Sequence, residues 1–434
     1  MRIELTNGIL FGFPLNILIE NERIVSISRD SFPPTRTIDL QNKIILPGMI
    51  DLHVHVRDLN NSNKEDWTSA SDAALKGGVT SIFDMPNTNP ATVDYETYKL
   101  KLNAAQISKV NYGCYIGCSP TNYEEVKNAL LQTDSIPALK IFLSASSANE
   151  VIEDENLLEK FLLLAKEYNK TVLFHSESQK FITRNAPLYS DNKYNHSKYH
   201  SLIRNRESAI ESTKLILRLA RKTNARIHIL HVGTMEEIQL IREYKRTDAG
   251  NVYCETTPHH LFLNDIDVEQ FGNYAKVNPP IRSIDDNEAL LEALADNTID
   301  TIGSDHAPHT IEEKQRDYRT APSGFPGLET SLPLLISNLY HKHNFTLDKI
   351  SELISKNPAK ILDIKDRGEI KVGAYADLTI IDLQEEVVVN PLEFSSKAKY
   401  SPYSGMKLKG KVLETMVNGK FSQSKGKLIE YDQN

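Results

Sequence analysis

Short runs of apolar and β-branched residues alternate with amphipathic helical patterns after the first 45 residues of the chain. In the segment 207–221, for example, Ile210, Leu215 and Leu219 are interleaved with charged residues, a pattern typical of a helix with one buried face. Eight of the apolar runs predict strands, and helical patterns lie between most of them. The predicted strands are Met49–Val56, Val79–Asp84, Val110–Gly117, Ala138–Leu143, Thr171–His175, Arg226–His231, Asn251–Glu255 and Thr298–Ser304.

Eight strands that alternate with helices favour an α/β fold of the (β/α)8 TIM-like barrel type over an open sheet. Long segments at 176–200 and 307–327 follow the fifth and eighth strands, and we expect both on the active-site face. The two chain ends contain short strand-like pieces instead. We predict that they pair as a small β-sandwich domain (1–46 plus 367–434) beside a barrel domain at 47–366.

The composition narrows the class of protein. The 434 residues include 50 Lys plus Arg and 58 Asp plus Glu, a net charge of −8, which argues against nucleic-acid and acidic-membrane partners. No apolar run approaches the roughly 20 residues of a membrane span. Glu4 and Asn7 lie where a signal peptide would be apolar, so we expect a cytoplasmic protein. Cys114, Cys118 and Cys254 are too few for a disulfide framework and are interpreted as core thiols.

The first predicted strand contains two histidines separated by one residue. Side chains at positions i and i+2 of a strand point the same way, so His53 and His55 share a face. Two imidazoles at this spacing can bind one metal ion. A pair of hydrogen-bonded core histidines is the alternative for this motif alone.

Other candidate ligands lie at the ends of other predicted strands. His175 closes the fifth strand, His231 closes the sixth and Asp305 follows the eighth. In a barrel the carboxyl ends of all strands open on one face, so these side chains are expected to converge with the first pair. Four histidines and an aspartate suit zinc or a similar divalent ion.

Lys140 lies in the fourth predicted strand and is the unusual member of this set. Burial and nearby positive charge both push a lysine toward its neutral form. A neutral amine can react with carbon dioxide to give a carbamate, an anion whose two oxygens can bridge two metals. A lysine that reaches solvent or pairs with an acid is the alternative interpretation.

Several longer motifs are spread over essentially the whole chain. They are Asp51-Leu-His-Val-His-Val-Arg57, Gly77-Gly-Val-Thr80, Met85-Pro-Asn-Thr-Asn-Pro90, Cys254-Glu-Thr-Thr-Pro-His-His260, Val277-Asn-Pro-Pro280, Gly303-Ser-Asp-His-Ala-Pro-His309, Gly324-Phe-Pro-Gly-Leu-Glu329 and Gly373-Ala-Tyr-Ala-Asp377. Together they resemble the dihydroorotases of the amidohydrolase superfamily. Many relatives continue the first motif with Glu-Pro-Gly, whereas this chain has Asp58-Leu59-Asn60 after Arg57.

The resemblance implies a barrel, a small β-sandwich and a binuclear zinc centre. It also implies that Lys140, whose surroundings resemble the lysine branch of the family, is carboxylated and bridges the two ions. The implied metal ligands are His53, His55, Lys140, His175, His231 and Asp305, and the implied substrate-binding residues are Arg57, Asn87, Asn278 and His309.

The expected reaction is the reversible hydrolysis of dihydroorotate to N-carbamoyl-L-aspartate, a step of pyrimidine biosynthesis. A hydroxide shared by two metals would attack the cyclic amide, and Asp305 would act as general base and then as acid. Arg57 has the strand parity of the two histidines, and its planar fork suits a substrate carboxylate. The alternatives are a surface ion pair for Arg57, with Asp58 or Glu65, and a turn role for Asn87.

Two other functions are alternatives to a dihydroorotase. A hydantoinase or allantoinase would retain the metal ligands but has less need of Arg57 and Asn87, because hydantoins lack the ring carboxylate. A non-catalytic scaffold would be expected to lose ligands. We expect a small-molecule substrate and a homodimer or homotetramer. The histidines in polar stretches are expected to be solvated, namely His196, His200, His341 and His343.

Overall fold

The computed structural model describes residues 2–32, 36–145, 151–247, 250–424 and 427–428. Its strands form one nine-stranded sheet from both chain ends and a set of parallel strands from the middle of the chain. The strands are β1 (Arg2–Leu10), β2 (Phe13–Glu20), β3 (Arg23–Ser28), β4 (Arg36–Asp39), β5 (Ile44–Pro47), β6 (Met49–Val54), β7 (Val79–Asp84), β8 (Asn111–Cys114), β9 (Ile116–Gly117), β10 (Ala138–Phe142), β11 (Thr171–His175), β12 (Ile227–Ile229), β13 (Val252–Thr256), β14 (Thr301–Ile302), β15 (Leu378–Val388), β16 (Lys407–Val417), β17 (Lys420–Ser424) and β18 (Lys427–Leu428).

Helices connect the parallel strands, and local capping sets their ends. The helix predicted over 207–221 is present, capped by the Asn205 side chain and ended by Asn224 in the left-handed region. The α-helices are α1 (Trp67–Lys76), α2 (Tyr95–Ala105), α3 (Tyr123–Gln132), α4 (Glu155–Glu167), α5 (Gln179–Asn185), α6 (His200–Ile203), α7 (Arg206–Thr223), α8 (Met235–Thr247), α9 (Pro258–Phe262), α10 (Asp265–Phe271), α11 (Ile284–Ala295), α12 (Ile311–Lys314), α13 (Ser331–Leu335), α14 (Leu347–Ser351) and α15 (Asn357–Ile361).

The predicted barrel is confirmed. Strands β6 to β14 pair in parallel in chain order, with β8 and β9 forming one predicted strand that is interrupted at Tyr115. The barrel closes where Val54 bridges to His306 and the N–H of His55 donates to the carbonyl oxygen of His306 at 2.7 Å. The carboxyl ends of the strands therefore surround one opening.

The two chain ends form the second unit. Antiparallel pairing of β5 with β15 joins the N-terminal strands to the C-terminal strands, with Ile45 opposite Ile380. Leu5, Ile17 and Met416 belong to an apolar core that is distinct from that of the barrel. A small β-sandwich built from both termini is thus confirmed, whereas the domain boundaries given above stay predictions.

Two insertions extend the active-site face. The segment after β11 contains α5 and α6, and the segment after β14 contains α12. They contact each other where Arg319 Nη2 donates to the carbonyl oxygen of Asp191 at 2.6 Å. All three cysteines are buried, as predicted for core thiols. Within the described residues, no helix combines the length and apolar character that a membrane span requires.

Candidate active site

His53, His55 and Asp305 meet at the carboxyl end of the barrel. The Nε2 atoms of both histidines lie 3.2 Å from Asp305 Oδ1. Val54, the last residue of β6, and Val56 just beyond it pack into the apolar core. The two histidines therefore face the barrel interior, as their spacing predicts.

Hydrogen bonds fix which nitrogen of each ring faces Asp305. Burial lowers the pKa of His53 to about 4 and that of His55 well below its usual value, so each ring is neutral near pH 7 and has one N–H. His53 Nδ1 donates to Glu255 Oε1, and His55 Nδ1 donates to Asn87 Oδ1, both at 2.8 Å. Two imidazole lone pairs thus converge on a carboxylate oxygen with no hydrogen between them. This arrangement suits a divalent cation.

A second pair of histidines adjoins the first. His175 Nε2 lies 2.9 Å from Glu177 Oε2, which also accepts from Arg204 Nε at 2.9 Å. The other ring nitrogen of His175, Nδ1, faces His231 Nε2 at 2.9 Å. The ring centroids of His231 and His53 are 5.2 Å apart, so the two pairs form one group of nitrogen donors.

Lys140 lies on β10 beside these histidines and is 1% exposed. Its Nζ atom is 4.6 Å from the centroid of the Phe142 ring. Burial is the main cause of the lowered pKa of His53 and His175, and the charge of Lys140 contributes to both shifts. Lys140 therefore lies within electrostatic reach of His53 and His175.

One cavity of about 250 Å³ contains the whole candidate set. On its outer side Arg57 donates from Nε to the carbonyl oxygen of Pro308 at 3.1 Å, and its Nη2 lies 3.2 Å from His309 Nε2. The predicted site residues that line the cavity are His53, His55, Arg57, Asn87, Lys140, His175, His231, Asn278, Asp305 and His309.

Several of these residues have an uncommon backbone conformation. The backbone φ angles are 66° at Arg57, 39° at His231 and 44° at Asp305. Residues other than glycine rarely adopt positive φ values of this kind. Such conformations concentrate at functional sites. Asp58 and Leu59 also have positive φ values. They lie in the loop where many relatives have Glu-Pro-Gly.

Further residues that were not predicted from the sequence contact the predicted ligands or line the cavity. Glu255 and Glu177 orient predicted ligands, and their positions at or just beyond the ends of predicted strands could have indicated this. Lys64 Nζ lies 3.2 Å from His309 Nδ1 and lines the cavity. The prediction that His200 is solvated is wrong, because the insertion after β11 folds back and buries it against Asn278.

Comparisons with known proteins agree with this geometry. A sequence profile of the amidohydrolase family matches residues 44–421. The chain belongs to the amidohydrolase family. This amidohydrolase is 34% identical to a dihydroorotase from Methanosphaera stadtmanae, over 96% of this chain and 95% of the relative. It is also 34% identical to a dihydroorotase from Pediococcus pentosaceus, over 93% of this chain and 94% of the relative.

Solved structures of similar proteins confirm the fold of this amidohydrolase. The L-hydantoinase (dihydropyrimidinase) from Arthrobacter aurescens superposes with a TM-score of 0.94 at 29% identity and covers 99% of this chain and 97% of its own. The dihydropyrimidinase from Brevibacillus agri NCHU1002 gives a TM-score of 0.92 at 25% identity, with 99% and 96% covered. The resemblance to dihydroorotases that the motifs indicate is confirmed by the sequence relatives.

Proposed function

We propose that this amidohydrolase is a dihydroorotase, which interconverts (S)-dihydroorotate and N-carbamoyl-L-aspartate in the de novo synthesis of pyrimidines (UMP). The observation that carries the proposal is a single cavity in which five metal-type donors and Lys140 face Arg57 and His309. The relatives named dihydroorotase, which align with nearly the whole chain, support the same reaction.

We further propose that the cavity holds two zinc ions. Neutral imidazoles and a carboxylate are donors that zinc prefers, and the two lone pairs that face Asp305 fit that role, with His175 and His231 adjoining them. When bound, such ions lower the pKa of water toward about 7 and polarise an amide carbonyl. The proposed ligands are His53, His55, His175, His231, Asp305 and a carboxylated Lys140.

Side chains of this protein are proposed to transfer the proton and to bind the substrate. Asp305 lies beside the donors and is placed to accept a proton from the attacking water and deliver it to the departing ring nitrogen. The new C–O bond forms first, at the expense of the carbonyl π bond, and the ring C–N bond breaks when the proton is delivered to nitrogen. Arg57, with His309 beside it and Asn87 in the lining of the same cavity, is placed to bind the substrate's carboxylate.

A hydantoinase-like activity is the second candidate, because the similar solved structures are hydantoinases and dihydropyrimidinases. The two functions differ in the charge of the ring substituent. A neutral ring such as dihydrouracil needs no cation at the outer side of the cavity, where Arg57 is 7% exposed and ordered by Pro308. The buried guanidinium therefore favours a substrate with a carboxylate.

Replacing Arg57 by methionine tests this choice. We expect KM for dihydroorotate to rise about 100-fold, since a bidentate charged contact is lost, while turnover of dihydrouracil changes little. Steady-state kinetics on both rings give the answer. Arg57→Lys is the matched control, and it should recover only part of the affinity because an ammonium lacks the planar fork. An equal effect on both substrates would favour the hydantoinase-like function.

Replacing Glu255 by glutamine tests the proposed metal role of His53. The amide keeps an oxygen that can accept from His53 Nδ1 but, unlike the carboxyl group, cannot become an anion that makes the ring a stronger donor to a cation. We expect the affinity for zinc to fall about 10- to 100-fold. Metal content after dialysis against graded chelator measures the change, and the exposed Glu243→Gln is the control. Unchanged zinc retention would contradict a ligand role for His53.

A further inference from the structure

His200 lies where three segments of the active-site face meet. It begins α6 in the insertion after β11, and its side chain is buried between Asn278 and Tyr318. Tyr318 belongs to the insertion after β14. Asn278 lines the cavity, whereas His200 and Tyr318 lie behind it. Among the described residues, Asn278 connects His200 to the cavity through a hydrogen bond.

The hydrogen bonds at His200 have a defined direction. Burial, with smaller contributions from Lys276 and Arg204, lowers the pKa of His200 to about 3, so the ring is neutral and has one N–H. Burial raises the pKa of Tyr318 to about 12, which keeps its hydroxyl protonated. The hydroxyl donates to His200 Nδ1 at 2.8 Å, and His200 Nε2 is left to donate to Asn278 Oδ1 at 2.7 Å.

A second donor reaches the same amide oxygen. Ser323 Oγ, also at the cavity wall, donates to Asn278 Oδ1 at 3.1 Å. With both lone pairs of this oxygen engaged, rotating the amide would place its N–H groups against two donors. The side chain is held with Oδ1 toward His200 and Ser323, and its Nδ2 hydrogens are the groups left for a ligand.

We propose that His200 is a positioning residue that holds the Asn278 amide as a hydrogen-bond donor toward an oxygen of the substrate, a ring carbonyl or the carboxylate. The inference rests on the proposed function for the identity of the ring, but not for the direction of the hydrogen bonds. Without His200, the amide can turn its oxygen toward the substrate oxygen, and two acceptors then face each other. A variant that lacks His200 is therefore expected to bind the substrate more weakly.

The first test compares two substitutions at the same position. His200→Leu removes the donor, and we expect KM for dihydroorotate to rise about tenfold while kcat changes less than about threefold. His200→Gln places an amide N–H near the position of Nε2, and it should restore KM to within about threefold of wild type. His341→Leu, a half-buried histidine that bonds to the carbonyl oxygen of Leu383, is the matched control and should leave KM unchanged.

A double-mutant cycle separates positioning from a general structural effect. If His200 acts through Asn278, then His200→Leu has no further effect on KM in an Asn278→Ala background. Equal effects of His200→Leu in both backgrounds, or failure of His200→Gln to recover KM, would overturn the proposal. Should the wild-type enzyme turn over dihydrouracil but not dihydroorotate, the proposed function alone fails. The same cycle measured on dihydrouracil then decides the role of His200.

Discussion

Replacing Lys140 by alanine is expected to abolish turnover and to leave the enzyme with at most one zinc ion per chain. Lys140 is 1% exposed and lines the same cavity as the four histidines and Asp305. Lys140 and Lys64 are the two lysines that line this cavity, and alanine removes the one that acts electrostatically on His53 and His175. We expect kcat to fall on the order of 10³-fold or more, since both activation of water and polarisation of the carbonyl depend on the ions.

The physical reason lies in the charge of the site. Two dications and a buried ammonium would repel each other, and burial adds a penalty for every group that remains charged. A neutral lysine amine can instead attack carbon dioxide, forming an N–C bond and losing a proton to give a carbamate. The product is an anion whose two oxygens would compensate the charge of the proposed zinc ions and hold them together. The variant would lack this group, so bicarbonate should not restore turnover.

The measurement combines metal analysis with isotopic labelling. Wild-type enzyme prepared with zinc and ¹³C-bicarbonate should show a labelled carbamate by NMR and two zinc ions per chain, and Lys140→Ala should show neither. Lys101→Met, which changes another buried lysine that pairs with Asp84 outside the cavity, is the control for loss of a buried amine. It should lower thermal stability yet keep the label. Two zinc ions and normal turnover in Lys140→Ala would contradict the proposed bridge.

The common opening of a barrel predicts that the donors converge, but strand parity gives a side-chain direction only at the first motif. There His53 and His55 face the interior while Val54 and Val56 pack into the apolar core. Parity gives no direction for His231 and Asp305, because β12 ends at Ile229 and β14 at Ile302, before either residue. Left-handed turns after these short strands aim both side chains inward. Sequence periodicity carries no signal for such turns at residues other than glycine.

The residues that orient the site were harder to predict for a different reason. Glu255 and Arg204 act on the site through side-chain hydrogen bonds whose direction depends on rotamers and on burial. His200 illustrates the difficulty, because the polar residues around it indicated solvent, while its position depends on how two insertions pack together. Local sequence defines the strands and their parity, but the packing of long loops is a tertiary property.

Exchanging Asp305 for asparagine is expected to lower kcat about 10³-fold, because general acid–base catalysis contributes 10²- to 10⁴-fold and the amide can neither accept nor return the proton. The side chain has nearly the same shape, and an amide oxygen can still face the Nε2 atoms of His53 and His55. The substitution therefore removes the proton acceptor while preserving most of the donor geometry. KM for dihydroorotate should change little, since Arg57 and His309 remain in place.

Metal content, kcat and KM of Asp305→Asn together distinguish proton transfer from metal binding. If the variant retains zinc but has a lowered kcat, the fall in kcat is due to loss of the general base. Added zinc should then not restore activity. Asp58→Asn makes the same exchange in the neighbouring left-handed loop, outside the cavity lining, and should retain activity within about threefold. If added zinc instead restores Asp305→Asn to the wild-type rate, Asp305 only binds metal. The proton must then pass through another group, and His309 and Lys64 at the mouth of the cavity would be the next residues to replace.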